Sequence, residues 1–207
     1  MGFDLDLTLA DTRRGIAATY DWLSERLGVF IDSAVAVSRL GPPLETELAN
    51  WLPPEEVPAA ADLFRGKYAE IAVPATTPME GAAEAVDAVR RAGGGVIVVT
   101  GKHPDLARRT LRHIGIDVDA VAGMVFGAAK GSAIAEFGAQ AYVGDHIADI
   151  EAARAAGVVS VAVATGPYTA DELRDHGADV VLPDLAAFAA WYDEWRVREI
   201  GTVSTVT

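Results

Sequence analysis

The chain has 207 residues, of which 51% are hydrophobic and 23% are charged, a balance typical of a folded globular protein rather than a disordered one. Its 30 acidic residues outnumber its 17 basic residues, which gives a formal net charge of −13. Because nucleic acid and anionic membrane surfaces repel so acidic a chain, neither is an expected partner. The absence of cysteine excludes disulfides, thiolate metal sites and cysteine nucleophiles.

The sequence shows no targeting or membrane-spanning segment. Its first residues lack the basic start and long apolar run of a signal peptide. The longest uncharged apolar stretch, residues 155–170, contains two glycines and a proline and is too short to span a bilayer. We therefore expect a cytoplasmic protein.

Residues 3–9 alternate between apolar and acidic or polar side chains and predict a first strand that ends near Asp6. In an extended segment side chains repeat every two residues, so Asp4 and Asp6 are expected to point the same way. Two carboxylates so close together need a cation or a shared proton. The alternative is a solvated acidic edge, which the apolar residues on either side disfavour.

Residues 13–77 predict helices and no strand. The predicted helices span 13–27, 44–52 and 55–71, separated by glycine- and proline-rich turns. Since the next core strand begins only near Val96, this block is predicted to be an insertion into the core.

From Met79 onward the pattern alternates between helix and strand. The predicted strands are 96–100, 121–126, 141–144, 159–163 and 179–182, and the predicted helices are 81–92, 104–114, 130–137, 147–156, 170–176 and 185–195. Such alternation predicts an α/β fold with a parallel sheet covered on both faces. Residues 1–12 and 78–198 form its core, and the non-periodic residues 199–207 are predicted to be a mobile tail.

Further polar residues follow the predicted strands, at the sheet edge where open parallel sheets bind ligands. Thr100-Gly101 offers a hydroxyl group and close backbone approach, although both are also ordinary loop residues. Lys130 stands at a helix start, where the helix dipole disfavours a cation, so we expect an anionic partner unless it is a surface lysine. Asp145 and Asp149 are four residues apart and share one face at the start of a helix. They are either ligands of a cation or simply acidic residues that the helix dipole favours at that end.

These residues carry a resemblance to a known family. The segments FDLDLT, VVTG, Lys130 and GDHIAD match in order the four motifs of the haloacid dehalogenase-like hydrolases, and residues 144–157 are especially similar to the phosphoglycolate phosphatase-like branch. The resemblance covers residues 2 to about 188, with Leu7 where the family often has glycine. It implies a Rossmann-like parallel sheet core with a small inserted helical cap, residues 13–77.

The resemblance also implies a mechanism. Asp4 is the nucleophile that forms an aspartyl-phosphate, and Asp6 is the acid that protonates the leaving group and later activates water. Thr100, Gly101 and Lys130 bind the phosphoryl oxygens.

The implied cofactor is Mg²⁺, since the expected ligands are all oxygen atoms. They come from Asp4, from the backbone carbonyl of Asp6 and from Asp145. Asp149 is either a further ligand or the group that orients Lys130.

The implied function is Mg²⁺-dependent hydrolysis of a small phosphorylated metabolite. The alternatives are another hydrolase of the family (a nucleotidase, a pyrophosphatase or a phosphonatase-type enzyme) and a non-enzymatic protein related to phospho-receivers, which leaves the helical insertion unexplained. Arg14 and Arg39 are candidates for meeting an anionic substrate, and His146 either lines the site or faces solvent.

Overall fold

The computed structural model describes the backbone of residues 1–203 and the side chains of residues 1–198. The strands are β1 (Gly2–Phe3), β2 (Ala10–Asp11), β3 (Thr77–Pro78), β4 (Ile97–Val99), β5 (Ala120–Ala122), β6 (Ala141–Gly144), β7 (Val159–Val163) and β8 (Val180–Leu182). The helices are α1 (Arg13–Leu27), α2 (Ser33–Ser38), α3 (Leu44–Leu48), α4 (Val57–Ala75), α5 (Ala82–Arg91), α6 (Pro104–His113), α7 (Ala128–Glu136), α8 (Ile147–Ala156), α9 (Ala170–Asp175) and α10 (Phe188–Val203).

Six strands form one parallel sheet in the order β5-β4-β1-β6-β7-β8. Strand β1 lies in its interior, where Phe3 pairs with Val98 on one side and Val143 on the other. These three side chains are fully buried, because helices cover both faces of the sheet. The strand order reverses direction beside β1, which is where sheets of this type bind ligands. The predicted α/β architecture is confirmed.

The first strand is shorter than predicted. It ends at Phe3, after which the Leu5 carbonyl oxygen accepts hydrogen bonds from the backbone N–H groups of Thr8, Leu9 and Ala10. The predicted strand is therefore too long, because the chain bends at Leu5 and turns over residues 7–9, although the Asp4 N–H still donates to the Val143 carbonyl oxygen of β6. Leu7 has a φ of 58° in this turn, the left-handed region that favours glycine.

The other core strands follow the prediction closely, with one exception. Strands β6 and β7 have the predicted bounds, whereas β5 ends at Ala122 instead of residue 126. The next residue, Gly123, passes so close to the start of α6 that a Cβ atom would lie 2.6 Å from the Lys102 carbonyl oxygen. The regular pairing ends here, and the Val125 N–H donates to the Thr100 carbonyl oxygen at 3.2 Å.

Helices α1 to α4 pack around a hydrophobic cluster of their own. The rings of Tyr20 and Phe64 lie 4.8 Å apart in it, and Gly15 allows α1 to approach α4 so closely that a Cβ would lie 2.6 Å from the Ala72 Cα. Helix α2 was not predicted; it is six residues long, and the Asp32 carboxylate caps it by accepting the Val35 N–H.

The two ends of this helical block are joined by a small antiparallel sheet that the sequence did not predict. Ala10 pairs with Pro78, and Asp11 pairs with Thr77. Each strand has two residues, and one contains a proline, so neither produces a periodic signal. The pairing brings together the points where the chain leaves and re-enters the core, as expected of an insertion.

Helix α10 is longer than predicted. It follows a 3₁₀ turn, Leu185–Ala187, and runs to Val203, so the backbone of residues 199–203 is helical. The remainder of the predicted tail, residues 204–207, lies outside the described residues. Within the described part of the chain, no helix combines the length and apolar character needed to cross a bilayer.

Candidate active site

The carboxyl ends of β1, β4 and β6 open into a cavity of about 200 Å³ that the helical block covers. Of the residues predicted for the site, Asp4, Asp6, Thr100, Gly101, Lys130 and Asp145 all line this cavity. The parallel topology brings them together, because it places the strand ends at one edge of the sheet. Asp149 lies directly behind, in contact with Lys130.

Lys130 joins two carboxylates. Its Nζ lies 3.1 Å from Asp4 Oδ1 and 2.7 Å from Asp149 Oδ1, and the lysine is almost completely buried. This confirms that an anionic partner holds the cation at the start of α7. The approach to Asp4 is an ion pair without hydrogen-bond geometry, so Asp4 Oδ1 is a buried acceptor with no hydrogen-bond donor among the described residues.

Burial dominates the electrostatics of the site. It raises the pKa of Asp4 to about 6, with Lys130 opposing the rise and Asp149 adding to it. Burial also raises the pKa of Asp145 well above its ordinary value, and the charges of Asp149 and Asp4 add to this effect. For Lys130, burial favours the neutral amine, but Asp149 and Asp4 outweigh it and raise the lysine pKa. The cluster therefore carries an excess of negative charge that one ammonium group only partly offsets.

The acidic cluster has the composition of a divalent-cation site. One oxygen from each of Asp4, Asp145 and Asp149 lies within 4.8 Å of the other two. Carboxylate oxygens suit a hard cation such as Mg²⁺, and each of these three side chains offers one. Asp149 is already engaged, because Oδ1 accepts from Lys130 and Oδ2 accepts from the His146 N–H at 3.1 Å. Asp4 and Asp145 are thus the freer carboxylates.

Asp6 has a different partner from Asp4. The Lys102 Nζ lies 2.9 Å from Asp6 Oδ1 and donates a 2.8 Å hydrogen bond to the hydroxyl of Tyr68, which belongs to α4. Thr12 Oγ1 donates to the same Asp6 oxygen at 2.7 Å. Neither Lys102 nor Tyr68 was predicted from the sequence. Lys102 immediately follows Thr100-Gly101 at a strand end, which is a signal that could have found it.

Thr100 and Gly101 form the floor of the cavity at the end of β4. Thr100 is buried, and its Oγ1 accepts a 3.2 Å hydrogen bond from the Lys102 N–H. A Cβ at Gly101 would meet only the Val125 carbonyl oxygen at 3.8 Å. Packing within the protein therefore does not require glycine here, and its proposed closeness to a ligand stays a prediction.

The remaining candidates differ in their positions. His146 lines the cavity, and its Nδ1 caps α8 by accepting the Ala148 N–H at 3.0 Å. Arg39 also lines the cavity but is paired with Glu47. Arg14 is exposed on α1 and does not line the cavity.

Comparison with known proteins agrees with this arrangement. Residues 2–157 match the family model of the haloacid dehalogenase-like hydrolases. The tyrosine-protein kinase PtkA of Mycobacterium tuberculosis is 29% identical over 94% of this chain and 70% of its own length.

Two solved structures show the same fold at low identity. A haloacid dehalogenase-like family hydrolase from Streptococcus pneumoniae superimposes with a TM-score of 0.80 at 21% identity, covering 92% of this chain and 96% of its own. A predicted phosphoglycolate phosphatase from Haemophilus somnus gives 0.78 at 21% identity, with the same coverage of both chains. Because the family model covers well over half of the sequence, this chain belongs to the haloacid dehalogenase-like hydrolases.

Proposed function

We propose that the chain is a Mg²⁺-dependent phosphatase of the phosphoglycolate phosphatase-like type, which hydrolyses a small phosphomonoester through an aspartyl-phosphate on Asp4. The observation that carries this proposal is the position of the Asp4 carboxylate. It lines the cavity at the end of β1, keeps 13% of its side chain exposed, and has its buried Oδ1 3.1 Å from Lys130 Nζ. A carboxylate so placed is suited to attack an electrophile that enters the cavity.

In the first step, an Asp4 carboxylate oxygen attacks phosphorus while the bond from phosphorus to the ester oxygen breaks. Asp6 gives its proton to that departing oxygen, which leaves as the alcohol. Lys102 and Thr12 both hold Asp6 Oδ1, which leaves Oδ2 to carry the proton. Lys130 and Thr100 bind the transferring phosphoryl oxygens.

In the second step, Asp6 removes a proton from water, and the hydroxide attacks phosphorus. The bond between phosphorus and Asp4 breaks, releasing inorganic phosphate and restoring both carboxyl groups. Substrate and water together supply every atom of the alcohol and phosphate produced.

The metal and its ligands belong to the same proposal. Asp4, the backbone carbonyl of Asp6 and Asp145 would hold Mg²⁺, with Asp149 orienting Lys130 instead of serving as a direct ligand. When bound, the ion offsets the repulsion between Asp4 and the phosphate dianion. The cap role of residues 13–77, a small phosphorylated metabolite as partner and a cytoplasmic location stay predictions.

A protein-tyrosine kinase is the second candidate, favoured by the similarity to the mycobacterial protein that carries that name. Transfer of the phosphoryl group from Asp4 to a phenol would differ from hydrolysis only in the acceptor of the second step.

Turnover of p-nitrophenyl phosphate tests the proposal. We expect multiple turnovers with Mg²⁺, loss of activity with EDTA, and recovery of activity when Mg²⁺ is restored. The Asp4→Asn variant should show no turnover. A phospho-receiver would give no multiple turnover. Phosphate appearing on a tyrosine peptide incubated with ATP, without phosphate release from the ester, would instead favour the kinase.

A further inference from the structure

The cavity has two chemically different halves. The half formed by the sheet edge carries the charged groups of the proposed reaction, among them Asp4, Lys130 and Asp145. The half formed by the helical block presents apolar side chains together with two arginine–glutamate pairs. Its apolar lining includes Ile16, Leu40, Pro42, Pro43, Leu44 and Phe64. A phosphoryl group bound at the sheet edge therefore directs the rest of its ester towards the helical block.

Two arginines from the helical block also line the cavity, and each is neutralised by a glutamate. Arg39 donates to Glu47 through Nη2 at 2.5 Å and Nε at 3.2 Å, and Glu47 also accepts the indole N–H of Trp51 at 2.9 Å. Arg65 donates to Glu45 at 2.6 Å. Among the described residues lining this half of the cavity, every arginine thus has a carboxylate partner. A second anionic group on the substrate would have to share an arginine that already holds a glutamate.

Tyr20 supplies an uncharged polar group in the same half. Its side chain lines the cavity, is only 3% exposed, and packs against Phe64 with ring centroids 4.8 Å apart. Its hydroxyl has no hydrogen-bond partner within the described part of the chain and keeps some exposed surface in the cavity. A ligand at that position therefore meets one uncharged hydroxyl group.

Size and desolvation limit the ligand further. A cavity of about 200 Å³ is smaller than the roughly 300 to 1,000 Å³ typical of drug-sized ligands, so the leaving group is small. A substrate carboxylate placed there loses hydration and gains only a share of an arginine that a glutamate already holds. An aromatic ring placed against Phe64 and Tyr20 gains from burial and from contact between rings.

We propose that the leaving group of the physiological substrate is a small, uncharged alcohol with an aromatic body, and not a carboxylate-bearing alcohol such as glycolate. This inference rests on the proposed phosphatase function and names its substrate class. The occupant is a small molecule, since the cavity admits little beyond a single ring and the phosphoryl group.

Kinetics with alkyl phosphates test the inference without the bias of an activated phenol. We expect kcat/KM for benzyl phosphate to exceed that for both 2-phosphoglycolate and 2-hydroxyethyl phosphate by about tenfold or more. Preference for 2-phosphoglycolate or for 2-hydroxyethyl phosphate would overturn the inference. Faster turnover of a phosphotyrosine peptide than of phenyl phosphate, which has the same kind of leaving oxygen, would overturn the assignment to a small molecule.

Glu47→Gln tests the charge argument directly, because it frees Arg39 while keeping the size of the side chain. The ratio of kcat/KM for 2-phosphoglycolate to that for benzyl phosphate should rise about tenfold, the effect of one charge-assisted hydrogen bond. Glu25→Gln is the matched control, an equal charge change on the exposed face of α1, and should leave the ratio unchanged. An unchanged ratio in Glu47→Gln would overturn the neutralisation argument.

Binding of phosphonates separates this inference from the proposed function. Calorimetry with benzylphosphonate and phosphonoacetate, whose carbon–phosphorus bonds resist hydrolysis, compares the same two organic groups without the ester oxygen and without turnover. Tighter binding of benzylphosphonate supports the inferred ligand class even if no phosphate ester is hydrolysed. The absence of hydrolysis would overturn only the proposed phosphatase activity. Tighter binding of phosphonoacetate by an active phosphatase would overturn the inference alone.

Discussion

Asp4 and Asp6 are two residues apart in the chain but are held by different lysines, which predicts different defects on substitution. Asp4→Asn removes the attacking oxygen charge, so no phosphoenzyme should form. Asp6→Asn removes only proton transfer, a contribution of roughly 10²- to 10⁴-fold. With p-nitrophenyl phosphate, whose leaving group needs little protonation, Asp6→Asn should still phosphorylate Asp4 and then stall. Intact-mass analysis after acid quenching should show one added phosphoryl group in Asp6→Asn.

The Asp4→Asn variant is the control for that measurement and should stay unmodified under the same conditions. If neither variant carries phosphate while the wild-type protein turns over, the nucleophile and the acid have been assigned to the wrong residues.

Lys102 contacts both Asp6 and Tyr68, so replacing it should disturb the position of the proposed acid. Lys102→Met keeps the length of the side chain but releases Asp6. We expect kcat to fall about 10- to 100-fold for benzyl phosphate and less for p-nitrophenyl phosphate, since only the former needs a positioned acid. The measurement is kcat and KM for both esters.

Lys67→Met, on the outer face of α4, is the matched control and should leave both esters unaffected. Equal losses for the two esters in Lys102→Met would show that this lysine supports the fold and does not position Asp6.

At the scale of elements, the segment between α2 and α3 rests on the start of α8. Gly41, with a φ of 140°, lies so close to His146 that a Cβ would come within 2.6 Å of its Nε2. Gly41→Ala should push the helical block away from the sheet edge and lower kcat/KM by about 10- to 100-fold. Steady-state kinetics and thermal melting measure the effect, and activity should fall more than stability.

Gly66→Ala is the control for this substitution, because a Cβ there would meet no atom within 4 Å. In the interior of α4 it should stabilise the protein by about 0.5–1 kcal/mol. His146→Ala removes the ring that causes the clash, so Gly41→Ala should cost much less activity in that background. The same loss in both backgrounds would contradict the contact.

Some helices and strands could be predicted from the sequence and others could not, for physical reasons. Helix α1 and strands β6 and β7 carry strong periodicity or continuous apolar runs, and their bounds were predicted correctly. Strands β2 and β3 have two residues each, and α2 has six, so their apolar patterns are too short to detect. Their stability comes from tertiary neighbours that a local pattern does not contain.

The same reasoning applies to the site. Asp4, Lys130 and Asp145 meet as predicted, because parallel strands bring their carboxyl ends to one edge. The pairing of Lys102 with Asp6 depends on the tight turn after β1. The alternating sequence had predicted an extended strand there instead of a turn. The ion pair between Arg39 and Glu47 depends on how α2 and α3 pack. Arg39, a candidate anion-binding residue, is therefore already paired within the protein.

At the scale of the whole molecule, the buried acids work against stability. Burial raises the pKa of Asp145, and Asp149 and Asp4 raise it further, so the ionised carboxylate is unfavourable in the folded state. Asp145→Asn removes that charge and retains the Oδ1 that accepts the Thr8 hydroxyl at 2.8 Å. In EDTA at neutral pH, Asp145→Asn should melt a few degrees above the wild type, since each kcal/mol is worth about 2–4 °C at this chain length.

Added Mg²⁺ should reverse this order of melting temperatures. A cation that binds only the folded state stabilises it in proportion to the logarithm of its concentration, so the wild-type melting temperature should rise with added Mg²⁺. Asp145→Asn should show little such rise, because it lacks a ligand carboxylate. Asp117→Asn, at an exposed acid between α6 and β5 that does not line the cavity, should respond to Mg²⁺ as the wild type does. If Asp145→Asn melted below the wild type in EDTA and kept the full Mg²⁺ response, Asp145 would be a structural acid outside the metal site.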